Sequence, residues 1–181
     1  MRRLRITLLL MLVLSTIVLV VPAGASARGC ANANAHPSET SSRAAAKATV
    51  CLINRERARR RIGKLRMNSR LSRAARNHAR DMVHRRYFSH SSASGASFLD
   101  RIRGAGYFRG ASSWAAGENI AWGSGSRATP RAIVRSWMNS PGHKANILKR
   151  SFREVGAGLS QGSPRGGFSR SATFVHDFGR R

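Results

Sequence analysis

Carboxylates are scarce in this sequence: seven Asp and Glu stand against 33 Lys and Arg, a formal net charge of +26 at pH 7. Each acid is therefore worth locating. Lysine is scarce too, with four residues, so the positive charge is almost all arginine. Those arginines are scattered and are not interleaved with aromatic residues, which argues against a stacking platform for nucleic acid. No helix-turn-helix, zinc-finger or RRM signature is present, so sequence-specific reading of nucleic acid is excluded. There are only two cysteines, Cys30 and Cys51. No second long apolar run follows the N-terminal one, so once that segment is removed no transmembrane anchor is left. There is no βαβ rhythm, which excludes a doubly wound sheet, and no internal repeat. Two hydrolase signatures are also missing, the His-Glu-x-x-His helix and the Gly-x-Ser-x-Gly elbow.

The chain opens with Arg2, Arg3 and Arg5, then an apolar run from Ile6 to Val21 and the small residues Ala25-Ser26-Ala27. Basic head, apolar core and small-residue site are the three parts of a secretory signal peptide. Cleavage after Ala27 is expected. The competing reading is a membrane anchor, because the run approaches the roughly 17 residues that span a bilayer; Pro22 and Gly24 break it. Cys30 follows Arg28 and Gly29, which does not fit a lipoprotein site. Loss of residues 1–27 would leave a secreted, extracellular chain of 154 residues with 30 basic and seven acidic residues, a net charge of +23. A field of that strength suits adhesion to an anionic polymer of the cell envelope. In an oxidising compartment Cys30 and Cys51 are expected to pair as a disulfide, stabilising the fold by about 2–4 kcal/mol. A free Cys51 is the alternative.

Residues 28–42 are small and polar and read as a flexible N-terminal arm; residues 43–181 form the domain. Ala48, Cys51, Leu52 and Ile62 lie on one face of an amphipathic helix over 42–62, with Gly63 placed to end it. Asn68 is placed to cap a second helix with Leu71, Ala74, Ala75, His78 and Met82 at helical spacing. A third runs from Ser97 to Arg103, and Thr129-Pro130 opens a fourth that turns Ile133, Val134 and Trp137 inward. Val155, Ala157 and Leu159 then alternate, as do Ala172, Phe174 and His176, so two antiparallel strands close the chain around a turn-rich connection at 161–167. Helices first and strands last indicate an α+β fold.

Three segments carry the chemistry: Tyr87-Phe88-Ser89-His90-Ser91, Ala116-Gly117-Glu118-Asn119-Ile120-Ala121-Trp122, and Trp137-Met138-Asn139-Ser140-Pro141-Gly142-His143 onward to Leu148. In this order they closely resemble the CAP superfamily, the cysteine-rich secretory, antigen 5 and pathogenesis-related 1 proteins, in their bacterial secreted form. The resemblance spans about residues 48–179, from Asn54-Arg55-Glu56-Arg57 to Asp177-Phe178-Gly179. It implies an α-β-α sandwich with a short antiparallel sheet between helical layers, and a central cleft where two histidines meet acidic residues. His90 and His143 match the two histidines and Glu118 the acid. Ser140 stands where many eukaryotic members carry a further glutamate, so a two-glutamate mechanism does not transfer.

Two neutral imidazoles and a carboxylate suit Zn²⁺ with an open position for water. Glu118 is a candidate ligand, or it holds an imidazole N–H and fixes that ring's tautomer. A metal-dependent hydrolase using His90, Glu118 and His143 is the enzymatic reading, with Glu118 the candidate catalytic proton acceptor. Hydrogen bonding among the three to stitch loops together is the structural one. The resemblance also implies a ligand-binding or defence-type module carrying a lipid or sterol. Of the other residues, His78 is expected in the core, His176 on the last strand, and His36 and His84 in solvent. Trp122 and Trp137 are expected to pack inside, Asn119 and Asn146 to tie loop backbones, and Ser91 to have no role as a nucleophile.

Overall fold

The computed structural model describes residues 29–181; the segment read as a signal peptide, 1–27, lies outside the described residues. Five helices and four strands follow one another as α1 (Ser42–Ala58), β1 (Arg66–Met67), α2 (Ser69–His84), α3 (Phe98–Gly104), β2 (Ala115–Ser124), α4 (Pro130–Asn139), α5 (Pro141–Leu148), β3 (Glu154–Gln161) and β4 (Ser171–Arg180). The sheet order is β1-β3-β4-β2. On its long strands it is antiparallel, with β3 running from Glu154 opposite Gly179 to Gln161 opposite Ala172, and β2 from Ala115 opposite Arg180 to Ser124 opposite Ser171. The exception to the expected antiparallel sheet is β1, which pairs parallel to β3 at its edge. Among the described residues no helix is long and apolar enough to cross a membrane.

The alternation along β4 sorts two helical layers. Ala172, Phe174 and Phe178 join α1, α4 and α5 in the larger core, with Ile53, Trp137, Ile147 and Phe152. On the opposite face Val175 meets Ala75, Ala79 and Met82 of α2, together with Ile120 of β2. Both faces of β4 are covered, so every residue from Ser171 to Gly179 is buried. This is the α-β-α sandwich. α2 approaches the sheet so closely because β3 carries Gly156 and Gly158 on that side: a Cβ at Gly158 would stand 2.2 Å from the carbonyl carbon of Ala75.

Local chemistry sets the helix ends. Ser41, Asn68, Ser97 and Thr129 accept backbone N–H groups as N-caps of α1, α2, α3 and α4. α1 stops at Ala58, before the expected residue 62. The reversal is made by Arg61 in the left-handed region (φ 54°), with Ile62 N–H reaching back to Arg57 O, and not by Gly63. The fully buried Arg57 then donates to the carbonyls of Gly63, Ile147, Lys149 and Phe152. It thereby caps the C-terminal end of α5 and holds that helix against α1.

The arm expected to be flexible is packed down. Cys30 is bonded to Cys51 across a sequence separation of 21 residues. Cys30, Ala33 and His36 are buried, and Pro37–Glu39 form a short 3₁₀ turn. His36, expected in solvent, caps that turn and its Nε2 bonds Arg170 O at 2.8 Å. Sequence spacing cannot register a partner 134 residues away. Trp137 is buried as expected, its Nε1 donating to Ile120 O. Trp122 is only half-buried, against the exposed Phe168 at the end of the sheet.

Candidate functional site

Glu118 sits on β2, opposite Asp177 of β4. Its side chain is 1% exposed. Oε1 lies 2.8 Å from His90 Nδ1 and Oε2 accepts from Arg101 Nη2 at 2.6 Å. Both oxygens are thus committed to protein partners. A carboxylate oxygen accepts, so Nδ1 is the donor in the contact with Glu118, and Nε2 has no hydrogen-bond partner among the described residues. The ring itself, in the loop after α2, is 54% exposed.

His143 enters from the other side, on the first turn of α5. Asn119 Nδ2 donates to His143 O at 3.0 Å, while Asn146 Nδ2 donates to Glu118 O and to Asn119 Oδ1. The two asparagines tie α5 to β2, as expected of buried amides. This close approach needs Gly117, because a Cβ there would stand 2.8 Å from Asn146 Oδ1. Half-buried His143 has its pKa lowered by desolvation first, and second by electrostatic repulsion between the two imidazoles, His90 lying close by. It is a neutral imidazole at neutral pH.

Three groups that were not among the expected cleft residues complete the cleft. Arg101 of α3, besides holding Glu118, donates through Nη1 to Ser92 Oγ and Ala96 O, fastening the loop that carries His90. Its Nε is buried without a partner. His78 is a core histidine as expected, and it also bonds Ser89 O through Nε2 at 2.9 Å, anchoring the residue before His90. Burial, then the Arg101 charge, lowers its pKa. Asp177 is 1% exposed and neither carboxyl oxygen has a hydrogen-bond partner. Burial first, and the facing Glu118 carboxylate second, raise its pKa well above the usual range despite Arg101 nearby, so its surroundings favour the neutral acid. The signal for Asp177 was its register opposite Glu118, which only strand pairing supplies.

His90 and Glu118 therefore meet, and His143 lies within electrostatic reach of His90. Among the described residues no three of His, Cys, Asp and Glu come together as a metal-holding group. Glu118 is placed to orient His90, with the two imidazoles as the remaining donors. His84 is exposed, and His176 is buried on β4 with Nε2 2.7 Å from Thr49 Oγ1. Ser91 makes no side-chain hydrogen bond with His90 among the described residues.

The comparisons with known proteins agree with this fold. The uncharacterized protein YkwD of Bacillus subtilis is 38% identical over 119 residues, which cover 66% of this chain and 44% of that protein. The chain thus spans less than half the length of that relative. An extracellular SCP-domain protein of Bacillus anthracis superposes with a TM-score of 0.59 at 26% identity, covering 74% of this chain and 39% of the other. An outer surface protein of Borrelia burgdorferi shares the fold with a TM-score of 0.60 at 21% identity, covering 75% and 91%. Residues 50–178 match the family model described as CAP, cysteine-rich secretory protein family. With all three cleft segments inside that match, the chain belongs to the CAP family.

Proposed function

We propose that this protein is a secreted CAP domain acting outside the cytoplasm as a ligand-binding module, with a cleft built to present two imidazoles. Secretion is supported by the N-terminal basic-apolar-small pattern, by the Cys30–Cys51 disulfide, and by the extracellular or surface character of its structural neighbours. The observation that carries the cleft reading is the commitment of both Glu118 oxygens, one to His90 and one to Arg101. A carboxylate so held orients a histidine; it is poorly placed as a third ligand or as a free proton acceptor. The remaining donors, His90 Nε2 and the neutral ring of His143, fit a divalent ion of the Zn²⁺ type with Glu118 as the outer partner of His90. Bound there, the ion would supply a Lewis-acidic centre for an anionic or carbonyl-bearing ligand.

An amphiphilic ligand has a separate observation in its favour. Between the N-terminal half of α1 and α2 lies a groove of about 640 Å³, floored by the buried Ala46, Ala157 and Leu159 and edged by the exposed Met67 with Arg43, Lys47 and Arg76. An aliphatic tail along that floor with an anionic head at the rim would match it.

Calorimetric titration of the oxidised protein with Zn²⁺ tests the cleft. One-to-one binding is expected, lost in His90→Ala and His143→Ala, and weakened by about 10–100-fold in Glu118→Gln. Binding that ignores both histidine variants, or no binding at all, would sink the reading. Turnover of an ester or peptide that Glu118→Gln abolishes while Zn²⁺ stays bound would favour the hydrolase instead.

A further inference from the structure

A second groove runs between α1 and α4 and reaches α5. Its volume is about 430 Å³, and six cationic side chains line it: Arg55, Arg59, Arg60, Arg131, Arg135 and Lys144. Glu56 is the single carboxylate among the lining residues, and it is already shared by Arg59 and Arg60 at 2.5 and 2.7 Å. The side chains of Arg135 and Lys144 have no hydrogen-bond or ion-pair partner among the described residues, and the Arg131 side chain is held only by the neutral Asn34.

These positions are not a random share of a basic surface. Arg55 lies in the last turn of α1, with Arg59 as its C-cap and Arg60 in the turn just beyond, and Arg131 and Arg135 stand one helical turn apart on α4, which packs beside α1. Two neighbouring helices thus present like charges to one another across a seam. Such an arrangement opposes folding and is relieved when an anion fills the seam. The floor is aliphatic: Leu52 and Val134 are buried and Met138 is half-buried. No Phe, Tyr or Trp lines the groove. Guanidinium forks match phosphate oxygens bidentately, and an aliphatic floor suits a saturated backbone. Nucleic-acid bases would find nothing to stack on.

We propose that this seam binds a linear polyol-phosphate polymer, its phosphates on the arginines and its carbon backbone over Leu52, Val134 and Met138. The seam shares no lining residue with the histidine cleft, its nearest link being Lys144 next to His143 on α5, so Zn²⁺ binding and polymer binding are measured separately.

The test is fluorescence-anisotropy titration of the oxidised protein with labelled polyglycerol phosphate in 0.1 M salt. Arg135→Gln/Lys144→Gln is expected to weaken binding by about tenfold, as loss of two charge-assisted contacts implies. Arg109→Gln/Arg165→Gln removes the same charge from exposed positions elsewhere and is expected to change affinity less than about twofold, by screening. Glu56→Gln releases Arg59 and Arg60 and is expected to strengthen binding, a gain that misfolding cannot imitate. Equal losses in the two double variants would overturn the proposal in favour of diffuse attraction. So would an unchanged Glu56→Gln, an absence of binding, or equally tight binding of a polyuronate or of single-stranded DNA.

Discussion

Removing Arg101 is the most informative perturbation of the cleft. The Arg101–Glu118 pair is 11% and 1% exposed with 2.6 Å between Nη2 and Oε2. At an effective dielectric of about 20 this separation corresponds to a gross attraction of order 6 kcal/mol. Desolvation of both ions takes back most of it, so the pair adds little net stability. Its half-removal is another matter. Arg101→Gln leaves a buried carboxylate beside Asp177, and Glu118→Gln leaves a buried guanidinium; each is expected to cost about 3–5 kcal/mol. The double variant buries two neutral amides that can bond to one another. It is expected to be less destabilised than the sum of the singles by about 2–4 kcal/mol. Urea unfolding followed by circular dichroism at pH 7 measures all four corners, with unchanged m-values checking that the compared states are alike. Because Arg101 also fastens Ser92 and Ala96, part of its single loss will persist in the double variant. Additivity within about 0.5 kcal/mol would refute the view that the pair is a mutual charge lock.

Two further outcomes follow from burial. His176 lies wholly inside, where desolvation pushes its pKa from 6.5 down to about 3. The unfolded chain takes up that proton below pH 6.5 and the folded one does not, so stability is lost on acidification from about pH 6.5 toward 3. His176→Gln should remove about 1.4 kcal/mol per pH unit from that slope, read by urea titrations at pH 4 and 7; an unaltered slope contradicts the assignment. Gly158→Ala drives a methyl to 2.2 Å from the α2 backbone and should cost about 3 kcal/mol or more. Gly104→Ala, with nothing within 4 Å of the added carbon, is the matched control. Equal thermal midpoints for the two would show that α2 does not rest on the sheet at Gly158.

Periodicity and caps made much of the fold legible. Asn68, Ser97 and Thr129-Pro130 start the helices they were expected to start, because a side-chain cap acts within a few residues. β2 was not legible as a strand: Gly117, Glu118 and Asn119 weigh against β structure, and only pairing with β4 overrides them. α5 was hidden in the same way, since it opens on Pro141-Gly142 and is held by Arg57 from α1.

The cleft divides along the same line. Its residue types could be read from three short segments, since His90, Glu118 and His143 each stand in a local motif. Their roles could not, because a role is a matter of who faces whom. Glu118 becomes the holder of His90 only when α3 brings Arg101 to its second oxygen, and the Asp177 pKa is raised only when β4 buries it opposite Glu118. The sequence by itself determined the helix starts, the cleft's residue types and the excess of positive charge, because spacing, capping and composition act locally or sum over the chain. The tertiary structure decided which carboxylate is occupied, which has its pKa raised, and where arginines from around two helices converge. Those depend on partners far away in sequence and on a dielectric that exists only after folding.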